Sequence, residues 1–294
     1  MIISRRRFLI TASGAVAAPV VAQTETGSQK QRISVFTKPF NSLSFDELAD
    51  RVAEIGFDGI EATVRSGGNV ESQEVEEKLP MLSEALSKRG LEVTIMTSDI
   101  NDPDDPITAK VLRTAATLGI ERYRMKYLKY DLSRSVNDQI KEWKPRLQDL
   151  AAINHDFGVR GLYQNHAGSG TFGSPIWDIY RALEGISPAD LAVAYDIRHA
   201  TVEGGQSWPT TFNMIRPLID TVYVKDFDWK GNRPANVPLG KGRVEKRFFE
   251  MLRDTNFKGP ISLHEEYLDH RKPDLVPEHL AALKTDLAQL KTWL

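Results

Sequence analysis

The chain has 294 residues, of which 41% are apolar, 27% charged and 9% aromatic, so it is neither collagen-like, low-complexity nor disordered. Lysine and arginine (38) nearly balance aspartate and glutamate (40), which leaves no bulk basic field to hold nucleic acid. Cysteine is absent, and this excludes disulfides, iron–sulfur clusters, zinc–thiolate sites and a cysteine nucleophile.

In chain order, residues 1–22 read as an export address rather than as part of the fold. Ser4-Arg5-Arg6-Arg7-Phe8-Leu9 supplies a charged start, and Phe8 to Val21 an apolar stretch too short and too weakly apolar for a good membrane span. Val20-Val21-Ala22 offers the small residues of a cleavage site, placed after Ala22. Adjacent arginines before a mildly apolar run resemble a twin-arginine export signal. The mature protein is therefore expected in the periplasm or cell envelope, meeting the membrane only through that signal. Without cysteines it must take its stability from packing. Residues 23–32 are polar and read as a linker.

The rest repeats one phrase: an amphipathic stretch, a glycine, then a short β-rich run. It occurs at Gly56, Gly90, Gly119, Gly158 and Gly259. Glycine just past a helix takes the left-handed conformation that ends it. With three further β-rich runs, strands are predicted near 33–37, 58–62, 92–97, 121–126, 159–164, 190–196, 220–225 and 260–266. The first helix carries a capping box, Ser44 with Glu47, and an apolar stripe of Phe45, Leu48, Val52 and Ile55. Further helices are predicted over about 135–154, after Arg247, and over about 278–293. Eight strand–helix units match a (β/α)₈ TIM barrel over residues 33–294, an α/β fold. The competing open sheet lacks its glycine-rich dinucleotide loop, because the first strand runs into Thr37-Lys38-Pro39. Residues 229–243 read as a long loop within the barrel.

Chemistry in such a barrel sits at the C-terminal strand ends, and side chains alternate along each strand. Glu61 ends the second strand. Arg124 and Lys126 share a face on the fourth, Gln164 and His166 on the fifth, with Tyr163 and Asn165 opposite. The sixth ends in Asp196-Ile197-Arg198-His199, and the seventh gives Tyr223 and Lys225, followed by Asp226. The eighth places His264 and Glu266 on one face and Glu265 on the other. So many polar groups at strand ends are too costly to bury without a functional return.

These residues resemble the xylose isomerase-like barrel family of sugar-phosphate isomerases and epimerases, ketose 3-epimerases and inosose dehydratases. The resemblance lies in Gly56-Phe57-Asp58-Gly59-Ile60-Glu61, Asp196 with His199, Lys225-Asp226, Pro238-Leu239-Gly240-Lys241-Gly242, and Gly259-Pro260 with Glu266. It implies one divalent metal (Mn²⁺, Zn²⁺ or Mg²⁺) held by a Glu, an Asp, a His and a Glu from strands five to eight. At those positions stand Gln164, Asp196, Tyr223 and His264, so one ligand of four is retained. The metal candidates are therefore Asp196 and His264, with a rearranged set of His166, Asp196, His199, His264 and Glu266 as the alternative.

The expected function is proton abstraction next to a sugar carbonyl: isomerisation or epimerisation foremost, with keto-sugar elimination or dehydration, or a non-catalytic sugar-binding barrel, as alternatives. Glu61 and Glu266 are the candidate bases, their pKa values expected to rise on partial burial. Lys225, with Lys126, is expected to stabilise the oxyanion, and His199 and His264 to move protons or grip hydroxyls. Gln164, His166, Arg198 and Asp226 are expected to bind hydroxyls, and Trp208 and Trp229 to stack on a sugar face from strand-end loops. The partner is a small-molecule sugar and not nucleic acid, and homo-oligomerisation is left open.

Overall fold

The computed structural model describes residues 31–294, so the expected export signal and residues 23–30 of the linker lie outside the described residues. Seven predicted strands appear in order as β1 (Ile33–Phe36), β2 (Gly59–Val64), β3 (Glu92–Ser98), β4 (Arg122–Arg124), β5 (Arg160–Gln164), β6 (Leu191–Asp196) and β7 (Ile219–Val224). The expected long loop contains regular structure instead. Asp226–Lys230 (β8) and Arg233–Val237 (β9) pair antiparallel as a hairpin around Gly231. The last barrel strand is β10 (Ile261–Leu263). The eight barrel strands pair in parallel in the closed order β1-β10-β7-β6-β5-β4-β3-β2.

Nine helices are described: α1 (Phe45–Ile55), α2 (Val75–Ser87), α3 (Pro106–Thr117), α4 (Val136–Phe157), α5 (Trp177–Leu183), α6 (Ile197–Gly204), α7 (Trp208–Ile215), α8 (Arg247–Arg253) and α9 (Val276–Lys291). Among the described residues none is long and apolar enough to cross a membrane. The α1 capping box forms as predicted: Ser44 Oγ accepts from the Glu47 amide and Glu47 accepts from the Ser44 amide at 3.0 Å. Gly56, Gly90, Gly119 and Gly158 all take positive φ after their helices. Gly259 does not. After α8 the left-handed position falls to Asn256, with φ 56°. Gly259 serves close approach instead, since a Cβ there would lie 1.6 Å from the Asp220 carbonyl oxygen.

The main core lies between barrel and helices, where strand residues such as Val35, Ile60, Val93, Tyr163 and Tyr195 meet the helical stripes. A second, small apolar cluster of Ile95, Leu162, Ala192, Ala194 and Tyr223 is separate from that core and plugs the barrel interior. At the N-terminal strand ends, Asp220 (8% side-chain exposure) bridges Arg122, at 2.8 Å, and Arg160, tying β7 to β4 and β5.

Gly259→Ala is expected to cost about 3 kcal/mol, because backbone rather than a flexible side chain blocks the new methyl. Gly56→Ala meets no atom within 4 Å and strains only its φ of 92°, so about 1 kcal/mol is expected. Urea denaturation of both variants measures the difference.

Candidate active site

The interior plug becomes polar two residues further along each strand. Leu162 is followed on the same face by Gln164, Ala194 by Asp196, Tyr223 by Lys225, and Ile95 by Thr97. Period-two alternation thus carries each strand from an apolar floor to a polar rim. Gln164, Asp196, Lys225 and His264 are all buried there.

Lys225 stands at the centre. Its ammonium lies 3.2 Å from Asp196 and 2.7 Å from Glu266. Burial alone would lower its pKa, but the two carboxylates outweigh that and hold it above the ordinary lysine value. Lys225 in turn holds Glu266 far below the usual carboxylate range against the opposing effect of burial, with smaller help from Lys38 at 4.0 Å. Glu266 is the member of the trio open to the hollow, with 22% of its side chain exposed. Asp196 is sealed and fully engaged: Gln164 donates to it at 2.8 Å, and the His199 amide at 3.1 Å, where Asp196 also caps α6. Gln164 accepts from Tyr127, and Asn165 exchanges two hydrogen bonds with the Asp196 backbone.

Glu61 forms a second layer. It accepts from Thr97, from Ser262 at 2.6 Å and from His264 Nε2 at 2.8 Å. Burial would raise its pKa, but the adjoining His264 ring and the hydroxyl donors bring it down to about 2. The expectation that burial lifts both glutamates is therefore reversed, because each is buried together with its donors. Glu61 has no exposed surface and acts as an acceptor that orients His264, rather than as a base open to a ligand. The His264 ring stacks on Phe36 at 4.5 Å, and its Nδ1 is buried without a partner.

The His199 and His166 rings pack against each other at a 36° tilt, centroids 3.9 Å apart. Burial first, then Lys225, pushes His199 well below the ordinary histidine value and His166 down to about 4. Both are neutral near pH 7. An arginine only donates, so the Arg198 contact to His199 Nδ1 at 2.9 Å places the imidazole proton on Nε2. That nitrogen is buried without a good hydrogen bond, 3.5 Å from Asp196. His166 Nδ1 meets the Ala167 carbonyl, which leaves its Nε2 as an acceptor. Arg198 also donates to Asn236 of the hairpin at 3.1 Å.

Glu61, Gln164, His166, Asp196, Arg198, His199, Lys225, His264 and Glu266 thus gather as the spacing predicts, and Glu265 faces the other way to bond His279 of α9. Two expected sugar ligands lie elsewhere. Trp208 opens α7 and is buried against Phe248 in the helical shell, ring centroids 6.0 Å apart, because α7 follows α6 closely and turns that side chain into the core. Asp226 accepts from the backbone amides of Phe227, Gly240, Gly242, Arg243 and Val244, so it organises the loop after β9 rather than binding hydroxyls. Trp229 is exposed on β8, edge-on to Phe227. Lys126 lines a cavity with Lys38, Arg65 and His270. Sequence reasoning missed Arg65, although it shares the parity of Glu61, and it also missed Tyr127, whose ring lies under the Arg124 guanidinium at 4.7 Å.

A family model described as the xylose isomerase-like TIM barrel matches residues 49–286. The chain belongs to that family. Comparison with curated proteins returned no match. Solved structures that share the fold include the following three. The 3-keto-D-glucoside 4-epimerase YcjR from E. coli is 18% identical with a TM-score of 0.67, over 90% of this chain and 100% of that one. The probable 3-DHS dehydratase AsbF from Bacillus anthracis is 18% identical with a TM-score of 0.65, over 86% and 98%. The IolI protein with a bound zinc atom is 15% identical with a TM-score of 0.70, over 90% and 99%.

The residues at the positions of the family's metal ligands do not fit a divalent cation in this family member. Asp196 is taken by Gln164 and Lys225, and His264 turns its Nε2 to Glu61. The Tyr223 phenol is pushed far above its ordinary pKa, by burial first and then by Glu61, and stays neutral. No group of three or more His, Asp or Glu disposed for a metal occurs among the described residues, so the rearranged set shares the rim without converging on one cation position. The ammonium of Lys225 supplies the positive charge between Asp196 and Glu266. Millimolar Mn²⁺, Zn²⁺ or Mg²⁺ is therefore expected to move Tm by less than about 1 °C, measured by thermal melts with and without a chelator.

A depressed histidine pKa contributes stability that is complete above pH 6.5 and is lost as the pH falls toward 4. Asp286, raised to about 6 by burial behind β10, works in the opposite sense, so the bare slope of Tm against pH is a sum. The difference between wild type and His166→Gln isolates the histidine. It is expected to be constant above pH 7 and to narrow between about 6.5 and 4 in thermal melts.

Proposed function

We propose that this chain is an exported, carbohydrate-active enzyme that abstracts a proton next to a sugar carbonyl, most directly as an isomerase or epimerase. One observation carries the reading: a buried ammonium is clamped between two carboxylates, one of which opens to the hollow. In the free protein Lys225 keeps Glu266 a weak base. A carbonyl oxygen that takes up the ammonium weakens that hold, so Glu266 gains basicity beside the carbon whose proton has become acidic. The proton passes from that carbon to Glu266, and the negative charge gathers on the oxygen facing Lys225. A proton delivered to the other face by a donor on that side gives an epimer, while return of the proton to the former carbonyl carbon, with the hydroxyl proton of the deprotonated carbon passing to the former carbonyl oxygen, gives an isomer. Loss of a β-leaving group instead gives elimination. The epimerase and the dehydratase that share this fold support both outcomes by analogy only. Gln164, His166, His199 and Arg198 border the trio with donors and acceptors suited to several hydroxyls. The export element rests on residues 1–22.

Incubation with a panel of keto-sugars in D₂O tests the proposal. Deuterium is expected to enter at the carbon next to the carbonyl. Glu266→Gln should lower kcat by about 10²–10⁴-fold with a small change in KM. An enone chromophore would mark the elimination outcome. Saccharide binding with no deuterium incorporation and no product would replace this reading with a barrel that binds sugar without turning it over.

A further inference from the structure

A cavity of about 800 Å³ lies over the C-terminal ends of β1 to β4 and past β10. It adjoins the clamped trio through Lys38, which lines it and stands 4.0 Å from Glu266. Its charge is one-sided. Lys38, Arg65 and Lys126 line it against a single lining carboxylate, Asp99, which accepts from the Ser66 amide at 3.1 Å. Arg271 also lines it but is bonded to Asp269.

Arg65 and Lys126 have no ion pair and donate no side-chain hydrogen bond among the described residues. The Arg65 guanidinium lies over the face of Phe36, 6.0 Å from the ring centroid. Burial is the largest influence lowering the pKa of Arg65, followed by repulsion from Arg124, while Glu61 and Asp99 oppose them. Lys38 is lowered by burial too, and Arg65, Lys225 and Arg124 add to it while Glu266 opposes them. Arg65 and Lys126 carry no ion pair among the described residues and Lys38 only its 4.0 Å contact with Glu266, so the cations repel one another and an anion placed among them relieves that repulsion. Arg65 with two lysines matches the fork-and-point geometry that anionic oxygens accept.

We propose that this cavity receives an anionic group, a carboxylate or a phosphate, borne by the sugar that enters the site, with Arg65, Lys38 and Lys126 as its binding residues. The inference rests on the reading of the barrel mouth as a sugar site and adds the charge class of the substrate. The anion would sit on the Arg65 side of the mouth, with the reacting carbonyl toward Lys225. The Ser42 and Ser66 hydroxyls, also in the lining, would supply neutral donors.

Calorimetry with the full chain at low salt tests it, using D-glucose, D-glucuronate, D-glucose 6-phosphate and inorganic phosphate. At least one anionic sugar is expected to bind about tenfold more tightly than glucose. The two sugar acids tell a carboxylate site from a phosphate site, and either preference supports the proposal. Added salt should weaken the anions and leave glucose unchanged. Arg65→Met should lower anion affinity about tenfold and spare glucose. Lys126→Met, at an exposed position, provides the same readout if the first variant does not fold. Equal affinity for glucose and its anionic counterparts, an equal loss for both in the variants, or no binding of any anion would overturn the proposal. Anion preference without deuterium exchange would overturn the enolisation reading alone, and exchange on neutral and anionic sugars at equal KM would overturn the charge class alone.

Discussion

A charge shut away from water persists only where fixed partners replace its hydration, and the rim of this barrel is arranged around that constraint. Lys225 keeps its proton because Asp196 and Glu266 flank it, and Asp196 stays ionised because Gln164, Lys225 and the α6 amide surround it. Strands β5, β6, β7 and β10 must therefore end in register. A shift by one residue on any of them would turn its polar member into the helical shell and leave an unpaired charge behind. The register is closed further down by the bridge from Asp220 to Arg122 and Arg160.

Much of this was legible in the sequence because it is local. Helix caps depend on three or four neighbouring residues, so Ser44 with Glu47 could be read directly. Strand parity depends on counting by two, so Gln164 with His166, His264 with Glu266, and the outward turn of Glu265 could be read as well. The failures are non-local. The acidity of Glu61 is set by Thr97, Ser262 and His264, which lie on two other strands. The role of Asp226 depends on a loop folding back to present four amides to one carboxylate. Trp208 was assigned by loop proximity, yet the α6–α7 corner decided its direction. Gly259 was read as a helix stop, whereas its constraint is the Asp220 backbone on the neighbouring strand.

At the positions where the resemblance places metal ligands, the chain holds a glutamine, a phenol kept neutral and a histidine committed to Glu61. The cation between the carboxylates belongs to the polypeptide. A lysine differs from a divalent ion in kind: it brings one charge, three directional donors and a flexible stem, and it cannot be lost by dilution. The same substitution explains why Asp196 and Glu266 tolerate each other's proximity in the folded chain.

Arg122, Arg160 and Asp220 close the cylinder at the end away from the rim. Closure and chemistry thus draw on different residues. Changes at exposed rim positions such as Lys126 need not threaten the scaffold, whereas a change at Asp196, Lys225 or Glu266 would leave a buried charge unpaired, so what the barrel accepts can drift only around that fixed trio.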